Sequence, residues 1–449
     1  MPKKTNKFDR KKKKHRELKD YKQIIKSRVI EREKFFDLKS ILIFLSIIGP
    51  GIITANVDND AGGIATFSIV GGHFGYSMLW ALIPITISLI VVQEMCARMG
   101  VVTGKGLSDL IRENFGIRVT FFIMIGLLVA NITVTIAEFA GIAAATEIFG
   151  ISKYIAVPIC AILVMSIIIR FNYKKVEKVF LFLAFFYLAY IVSGFMAHPD
   201  WGEVAKQTVI PTFQFSSYYL VVLIALIGTN ITPWMQFYLQ SSIVEKGIKP
   251  SEYKYSKWDV ILGCIMTDVI SFFVIVAVAT TIFKAGYNVE SAADAARALA
   301  PLAGKYASSL FAFGLFNAAF FGACILPLST SFFVCEGFGW EAGVNKNFKE
   351  AKTFYSIIIF VLVLSAGLIL LPKVPLLKIM LISQVINGVL LPFVLISILF
   401  LINNKRIMGE YTNSKTYNII AATTCVIIMI LTILMVLTTI FPNMFQFLD

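Results

Sequence analysis

Asn56, Asp58, Asn59 and Asp60 place two carboxylates and two carboxamides within five residues, in the run Thr54-Ala55-Asn56-Val57-Asp58-Asn59-Asp60-Ala61-Gly62-Gly63. A second polar interruption, Gly228-Thr229-Asn230-Ile231-Thr232-Pro233, breaks another apolar stretch. Glu138, with Thr133, Thr135 and Thr146 around it, and Asp268 each lie inside an otherwise apolar segment, as do Gln384 and Asn387 one helical turn apart. The donors on offer are oxygens: carboxylate, carboxamide, hydroxyl and freed backbone carbonyl. That set suits hard cations such as Mg²⁺, Ca²⁺ and Mn²⁺, whereas Zn²⁺ and Cu⁺ usually recruit His, Cys or Met. An anionic ligand would need Lys or Arg at these interruptions, and none is there. Only His15, His73 and His198 occur in the chain, so histidine ligation within an apolar segment is not expected. For Glu138, Asp268, Gln384 and Asn387, hydrogen bonding between helices is the plain alternative.

The elements that must position these groups are membrane spans. The 449 residues are 57% hydrophobic and only 15% charged, where a soluble chain carries roughly a quarter charged. Eleven long apolar runs, at about 41–66, 75–97, 119–146, 154–169, 179–197, 216–243, 258–283, 307–335, 354–371, 376–402 and 416–441, reach or approach the length that crosses a hydrocarbon core of ~30 Å. The first forty residues are polar and hold no apolar stretch of the signal-peptide kind. With the N-terminus in the cytoplasm, 34 of the 41 Lys and Arg residues fall inside and 7 outside, as the positive-inside bias requires. An odd number of spans then puts Asp449 outside. The chain divides into a basic tail (1–40), a first set of five spans (41–200), a second set of five (201–403) and an eleventh span with a short C-terminus (404–449).

The tail carries 16 basic and 6 acidic residues and supplies +10 of the +14 net charge. It is expected to be a disordered positive-inside signal, with contact to anionic lipid headgroups as the alternative. Lys11–Lys14 lack the aromatic or fold context of a nucleic-acid site. The six cysteines, Cys96, Cys160, Cys264, Cys324, Cys335 and Cys425, show no CxxC pairing and read as small buried residues.

A continuous helix through 54–63 would turn some of its polar side chains to lipid. The pair Gly62-Gly63 is expected to let the backbone unwind and face them inward; a loop between two shorter apolar stretches is the alternative. Pro233 lacks an amide hydrogen and frees an upstream carbonyl, which neighbouring Thr and Asn side chains can satisfy. The two interruptions fall in the first and sixth spans. Breaks at corresponding places in two halves point to a midplane binding site of a transporter.

At these residues the chain resembles the Nramp (natural resistance-associated macrophage protein) family. The resemblance runs through Gly49-Pro50-Gly51, Phe74-Gly75-Tyr76-Ser77, Leu79-Trp80, Thr103-Gly104-Lys105, Ala137-Glu138-Phe139 with Gly141, Glu336-Gly337-Phe338, Ser383-Gln384-Val385 and Leu391-Pro392-Phe393, from about residue 40 to 402. It implies an all-α integral membrane protein of eleven transmembrane helices, a LeuT-like five-plus-five inverted repeat with helices 1 and 6 broken, plus helix 11. It implies a transporter of divalent metal ions and no enzyme, cofactor, nucleic-acid partner or obligate protein partner, in a bacterial plasma membrane.

The departures are specific. The family's Asp-Pro-Gly-Asn motif falls on Asp60-Ala61-Gly62-Gly63, which keeps the Asp and puts Gly63 where the ligating Asn stands. Its Met-Pro-His motif falls on Thr232-Pro233-Trp234, anchored on the proline, so a hydroxyl replaces the sulfur. The following Tyr238–Ser242 run sits one residue late, which leaves the sixth-span register open by one. Both family histidines of that helix are absent, and Thr135 replaces the acid before Ala-Glu-Phe.

Loss of sulfur removes the preference for Mn²⁺ and Fe²⁺, and fewer direct ligands leave room for the water that Mg²⁺ surrenders reluctantly. The pattern resembles the Nramp-related magnesium transporter branch. It implies Mg²⁺ (and Mn²⁺) import by alternating access without proton coupling. Asp60 would be the charged ligand, Thr229, Thr232 and Gln384 would complete the shell, and Asp58 and Asn59 would line the approach. The rival readings are a proton-coupled Mn²⁺ or Fe²⁺ transporter, a channel of similar selectivity, and an intramembrane aspartyl protease using Asp60 and Asp268.

Overall fold

The computed structural model describes residues 49–170, 178, 182, 188–214, 216–286 and 307–440. The basic tail with Lys11–Lys14, the start of the first expected span (41–48), residues 179–181 and 183–187 of the fifth (179–197) and the C-terminus from 441 lie outside the described residues. Among the described residues every regular element is helical.

Eight described helices are long and apolar enough to cross a membrane: Leu79–Thr103, Leu107–Ile148, Ser217–Lys246, Pro250–Phe283, Phe311–Phe338, Lys352–Ile369, Leu376–Ile402 and Lys415–Leu437; a shorter apolar helix covers Lys153–Ile169. With the broken first span these account for ten of the eleven expected crossings, and Leu188–Met196 is the described part of the fifth. The helix expected over 119–146 begins earlier, at Leu107, and turns at Gly116, whose φ of 78° only glycine adopts without strain. The polar segment Leu107–Gly116 is thus a leading arm of the third span.

Seven elements build the site. They are α1 (Pro50–Asn56) and α2 (Ala61–Phe74), the halves of the first span, and α3 (Leu107–Ile148), the third. The rest are α4 (Ser217–Asn230) and α5 (Pro233–Lys246), the halves of the sixth, and α6 (Tyr253–Val278), the seventh. The tenth span, α7 (Leu376–Ile402), closes the ring. Both α1 and α5 begin with proline in the first turn, where its missing N–H costs nothing and its fixed φ suits a helix start.

A helix of seven residues such as α1 cannot hold its own shape and must be held by its neighbours. It lies against α6 at glycines: a Cβ on Gly51 would stand 2.6 Å from the Val260 nitrogen, and one on Gly263 would stand 2.7 Å from the Gly51 carbonyl oxygen. The Asp259 carboxylate of α6 accepts from the backbone N–H groups of Gly49 (3.1 Å), Gly51 (2.6 Å) and Ile52 (3.3 Å). That satisfies donors which the start of a helix leaves open. On the other side of the site α3 packs along Ala307–Phe338, the eighth span, with Gly141 against Ala319 and Gly322 against the Glu138 carboxyl, and Gly141 also meets Ala61 of α2. All six cysteines are buried and free.

Candidate metal site

The first span unwinds at four residues. After α1 ends at Asn56, Val57–Asn59 form a 3₁₀ turn, and Asp60 is extended (φ −68°, ψ −178°) as the N-cap of α2. The glycine pair is not where the backbone unwinds, contrary to the expectation from sequence: Gly62 and Gly63 are helical and form the first turn of α2. They are glycines because nothing larger fits. A Cβ on Gly62 would overlap the Gln384 Nε2, and one on Gly63 would overlap the Asp58 carbonyl oxygen and stand 3.0 Å from Thr229 Oγ1.

The sixth span breaks at Ile231 and Thr232. Ile231 leaves helical geometry (φ −124°, ψ 64°), and Thr232 is extended before Pro233 restarts the helix. The two breaks meet. Thr229 Oγ1 is 3.5 Å from the Asp58 carbonyl oxygen, and Thr232 Oγ1 is 3.5 Å from Asp58 Oδ1.

Asp60 is 1% exposed and carries the centre of the site. One oxygen, Oδ1, accepts the Gly63 N–H at 2.5 Å, so the positive end of α2 already favours its charge. Both oxygens face the Gln384 amide, with Nε2 3.3 Å from each. Gln384 in turn accepts at Oε1 from Asn387 Nδ2 at 3.0 Å, while Asn387 Oδ1 is buried without a partner. Turning both amides over would present Gln384 Oε1 to a cation on Asp60 and let Asn387 Oδ1 accept from the Gln384 NH₂. In the arrangement seen, the Gln384 NH₂ occupies the side of Asp60 where a positive charge belongs.

Glu138 on α3 joins the site from the opposite wall. Its Oε2 accepts the N–H of Ala61, the residue after Asp60, at 3.2 Å, and its Oε1 has no partner. The sequence flagged Glu138 as a polar residue of the third span but did not tie it to the break. The signal was the Ala-Glu-Phe motif, and the contact itself crosses 77 positions of chain.

Asn59 turns the other way. Its Nδ2 donates to Thr267 Oγ1 at 2.6 Å, and its Oδ1 accepts from Ser271 Oγ at 3.1 Å. The carboxamide thereby pins the break to α6. Ser271 also lies 3.5 Å from Asn230 Oδ1, which joins the two breaks through one side chain of α6. Gly63 offers the site its amide, through Asp60, and no side chain.

The soft donor nearest in sequence, Met235, is turned towards Gln93 of the second span, whose Nε2 lies 3.2 Å from its sulfur. Asp60, Thr229, Thr232, Gln384 and Asp58 therefore come together around the two breaks. Asp60 and Gln384 are in direct contact, and Asp58 bridges to the sixth span. The arrangement is a buried, acidic cluster of mostly oxygen-bearing side chains at the ends of four half-helices.

The family described as Natural resistance-associated macrophage protein-like matches residues 51–438. The chain belongs to the Nramp family. Among relatives of this Nramp protein, the divalent metal cation transporter MntH of Bacillus subtilis (strain 168) is 26% identical over 407 residues, covering 88% of this chain and 92% of that one. The MntH of Caldanaerobacter subterraneus subsp. tengcongensis is 25% identical over 399 residues, covering 86% and 92%. The fold is shared with the Eremococcus coleocola manganese transporter, at a TM-score of 0.71 and 22% identity over 92% of this chain and 90% of that one. It is also shared, more distantly, with Mhp1, a nucleobase-cation-symport-1 family transporter in a closed conformation (TM-score 0.54, 15% identity, 88% and 94% covered). The fold is thus LeuT-like, as expected, and the chain is a multi-pass membrane protein of a transporter family rather than an enzyme.

Proposed function

We propose that this Nramp protein imports Mg²⁺, and also Mn²⁺, by alternating access, without moving protons in exchange. The divalent-metal part of this reading rests on the relatives, which are named as divalent metal cation and manganese transporters. The choice of Mg²⁺ rests on one observation: the groups around Asp60 are amide, hydroxyl and carboxylate, and the Met235 thioether points away into the second span. Oxygen donors hold Mg²⁺ and Mn²⁺ without discriminating strongly for the transition metal, as sulfur would. Mg²⁺ keeps several waters, and the amides and hydroxyls of Gln384, Thr229 and Thr232 are suited to hold those waters rather than the ion itself.

The proton side of the reading rests on what the sequence lacks. No histidine lies in the sixth span, and Thr135 stands where an acidic residue precedes Ala-Glu-Phe in the family. Import is then driven by the concentration gradient and the membrane potential, the latter worth about 4.6 kcal/mol for a dication at 100 mV.

Reconstitution in liposomes tests both parts at once. Purified protein is expected to carry Mg²⁺ inward down its gradient, Asp60→Ala is expected to stop it, and a pH-sensitive dye inside the vesicles is expected to stay flat. Mn²⁺ uptake accompanied by acidification, with no Mg²⁺ flux, would instead establish the proton-coupled rival.

A further inference from the structure

The backbone beneath Gln384 is fixed, so only its side chain can respond to what sits on Asp60. α7 meets α4 at glycines: a Cβ on Gly228 would overlap the Gln384 carbonyl oxygen, and one on Gly388 would stand 2.7 Å from the Ile224 carbonyl oxygen. The two helices therefore touch backbone to backbone at this level. On the facing side, Gly62 leaves the space that the Gln384 amide fills, because a Cβ there would overlap Nε2.

A buried glutamine needs partners at both ends of its amide. Gln384 Nε2 lies 3.3 Å from each Asp60 oxygen, longer than the usual N–H···O separation of about 2.9–3.0 Å, so this end is held loosely. The other end is held by Asn387, three residues on along the same helix face, whose Nδ2 donates to Oε1 at 3.0 Å. Asn387 is as fully buried as Gln384, and its Oδ1 has no hydrogen-bond partner. Among the described residues its carboxamide bonds to Gln384 alone, so it is not there to tie α7 to another helix, the plain role of a polar residue in a span.

We infer that Asn387 is a positioning residue for the metal site, holding Gln384 against Asp60 and serving either orientation of its amide. This rests on the metal-transport reading above and deepens it. A carboxamide carries both a donor and an acceptor. Asn387 can give an N–H to Gln384 Oε1, as seen, which points the Gln384 NH₂ at a bare Asp60 carboxylate. With both amides turned over, its Oδ1 takes an N–H from Gln384 and leaves Oε1 facing a cation on Asp60. A hydrocarbon side chain at 387 could do neither, and one end of the buried Gln384 amide would lack a partner in both orientations.

Initial rates of Mg²⁺ and Mn²⁺ uptake into liposomes, measured against ion concentration at equal incorporated protein, test this. Asn387→Leu, nearly isosteric, and the smaller Asn387→Ala are both expected to raise KM roughly tenfold, the scale of one buried hydrogen bond, with kcat within about twofold of the wild type. In a Gln384→Leu background, Asn387→Leu should move KM by less than about twofold, because Asn387 acts only through Gln384. A purely structural residue would instead lower kcat or incorporation, and its loss would add to that of Gln384. Unchanged KM in both Asn387 variants would overturn the inference, as would an undiminished rise in the Gln384→Leu background. The two readings part at Gln384. If Gln384→Leu keeps the wild-type KM for the carried ion, Gln384 leaves the metal site and this inference goes with it. If Gln384→Leu raises KM while the Asn387 variants do not, the inference alone fails.

Discussion

At Asp60 a helix terminus and the proposed metal ligand share one carboxylate. The Gly63 amide takes one lone pair of Oδ1 at 2.5 Å and leaves the outward face of both oxygens for an ion or for Gln384. Position 63 must therefore supply an amide at short range and nothing more, because a Cβ there overlaps the Asp58 carbonyl oxygen. The family's motif places Asn at this position, so Gly63→Asn looks like a simple way to restore a lost ligand. The structure argues the opposite. The new side chain would have to push the 3₁₀ turn away from α2, an overpacking that typically costs about 1–3 kcal/mol. A lower thermal unfolding temperature and reduced Mg²⁺ uptake are expected, with no gain in Mn²⁺ over Mg²⁺. Competitive uptake of the two ions measures the ratio, and a clear shift towards Mn²⁺ in a stable variant would show that the pocket accommodates the asparagine. Asp60 and Gln384 were legible in the sequence as polar residues in apolar runs, and the structure brings them into contact. The direction Asn59 takes was not legible. Three consecutive polar residues in an unwound turn point to different walls, and only the positions of Thr267 and Ser271 decide which wall Asn59 meets.

Among elements, α1 depends most on its surroundings. It is one end of a broken span, seven residues long, and its start is capped by a carboxylate from another helix, Asp259, more than two hundred positions away. The glycine contacts of Gly51 and Gly263 bring the two backbones close enough for that carboxylate to reach three amides. Asp259→Ala should then cost about 0.5–2 kcal/mol, the usual range for losing a helix cap, seen as a fall in thermal unfolding temperature. Because α1 leads directly into the turn that carries Asp58 and Asp60, metal uptake should fall as well. A variant as stable as the parent but inactive would assign Asp259 to the transport path instead of the cap. The breaks themselves announced their presence through Pro233 and the polar run at 56–60, since proline and clustered polar groups are incompatible with an ordinary lipid-exposed helix. Their exact edges did not. The glycines that suggested an unwound segment are helical and small for packing, because a glycine tight against a neighbour and a glycine in a turn look the same in one sequence. The Asp259 cap was invisible for a related reason: an aspartate near the end of a span reads as an interfacial charge until its long-range partners are placed.

For the whole molecule, charge distribution sets the direction in which the site is approached. The two sets of loops differ by 34 to 7 in Lys and Arg with the N-terminus inside, and the bias survives removal of the 16 in the tail, at 18 to 7. Short loops near the membrane are the ones that determine topology, and most of these residues lie in such loops. That orientation puts Lys206, exposed on the short helix Trp201–Val209, outside, and Lys349, exposed after the eighth span, inside. The six native cysteines are all buried, so a membrane-impermeant maleimide should find little background in intact cells. Lys206→Cys should label from outside without permeabilisation, and Lys349→Cys only after the membrane is opened. Reversal of that pattern would place the N-terminus outside and overturn the orientation, while the direction of passive metal flow, set by the gradient and the membrane potential, would stay the same. Labelling of both in intact cells would mean a mixed orientation, against the charge bias. The prediction belongs to this scale because no single lysine fixes it: it follows from the sum of charges over all the loops, which the expected orientation assigns mainly to the inside.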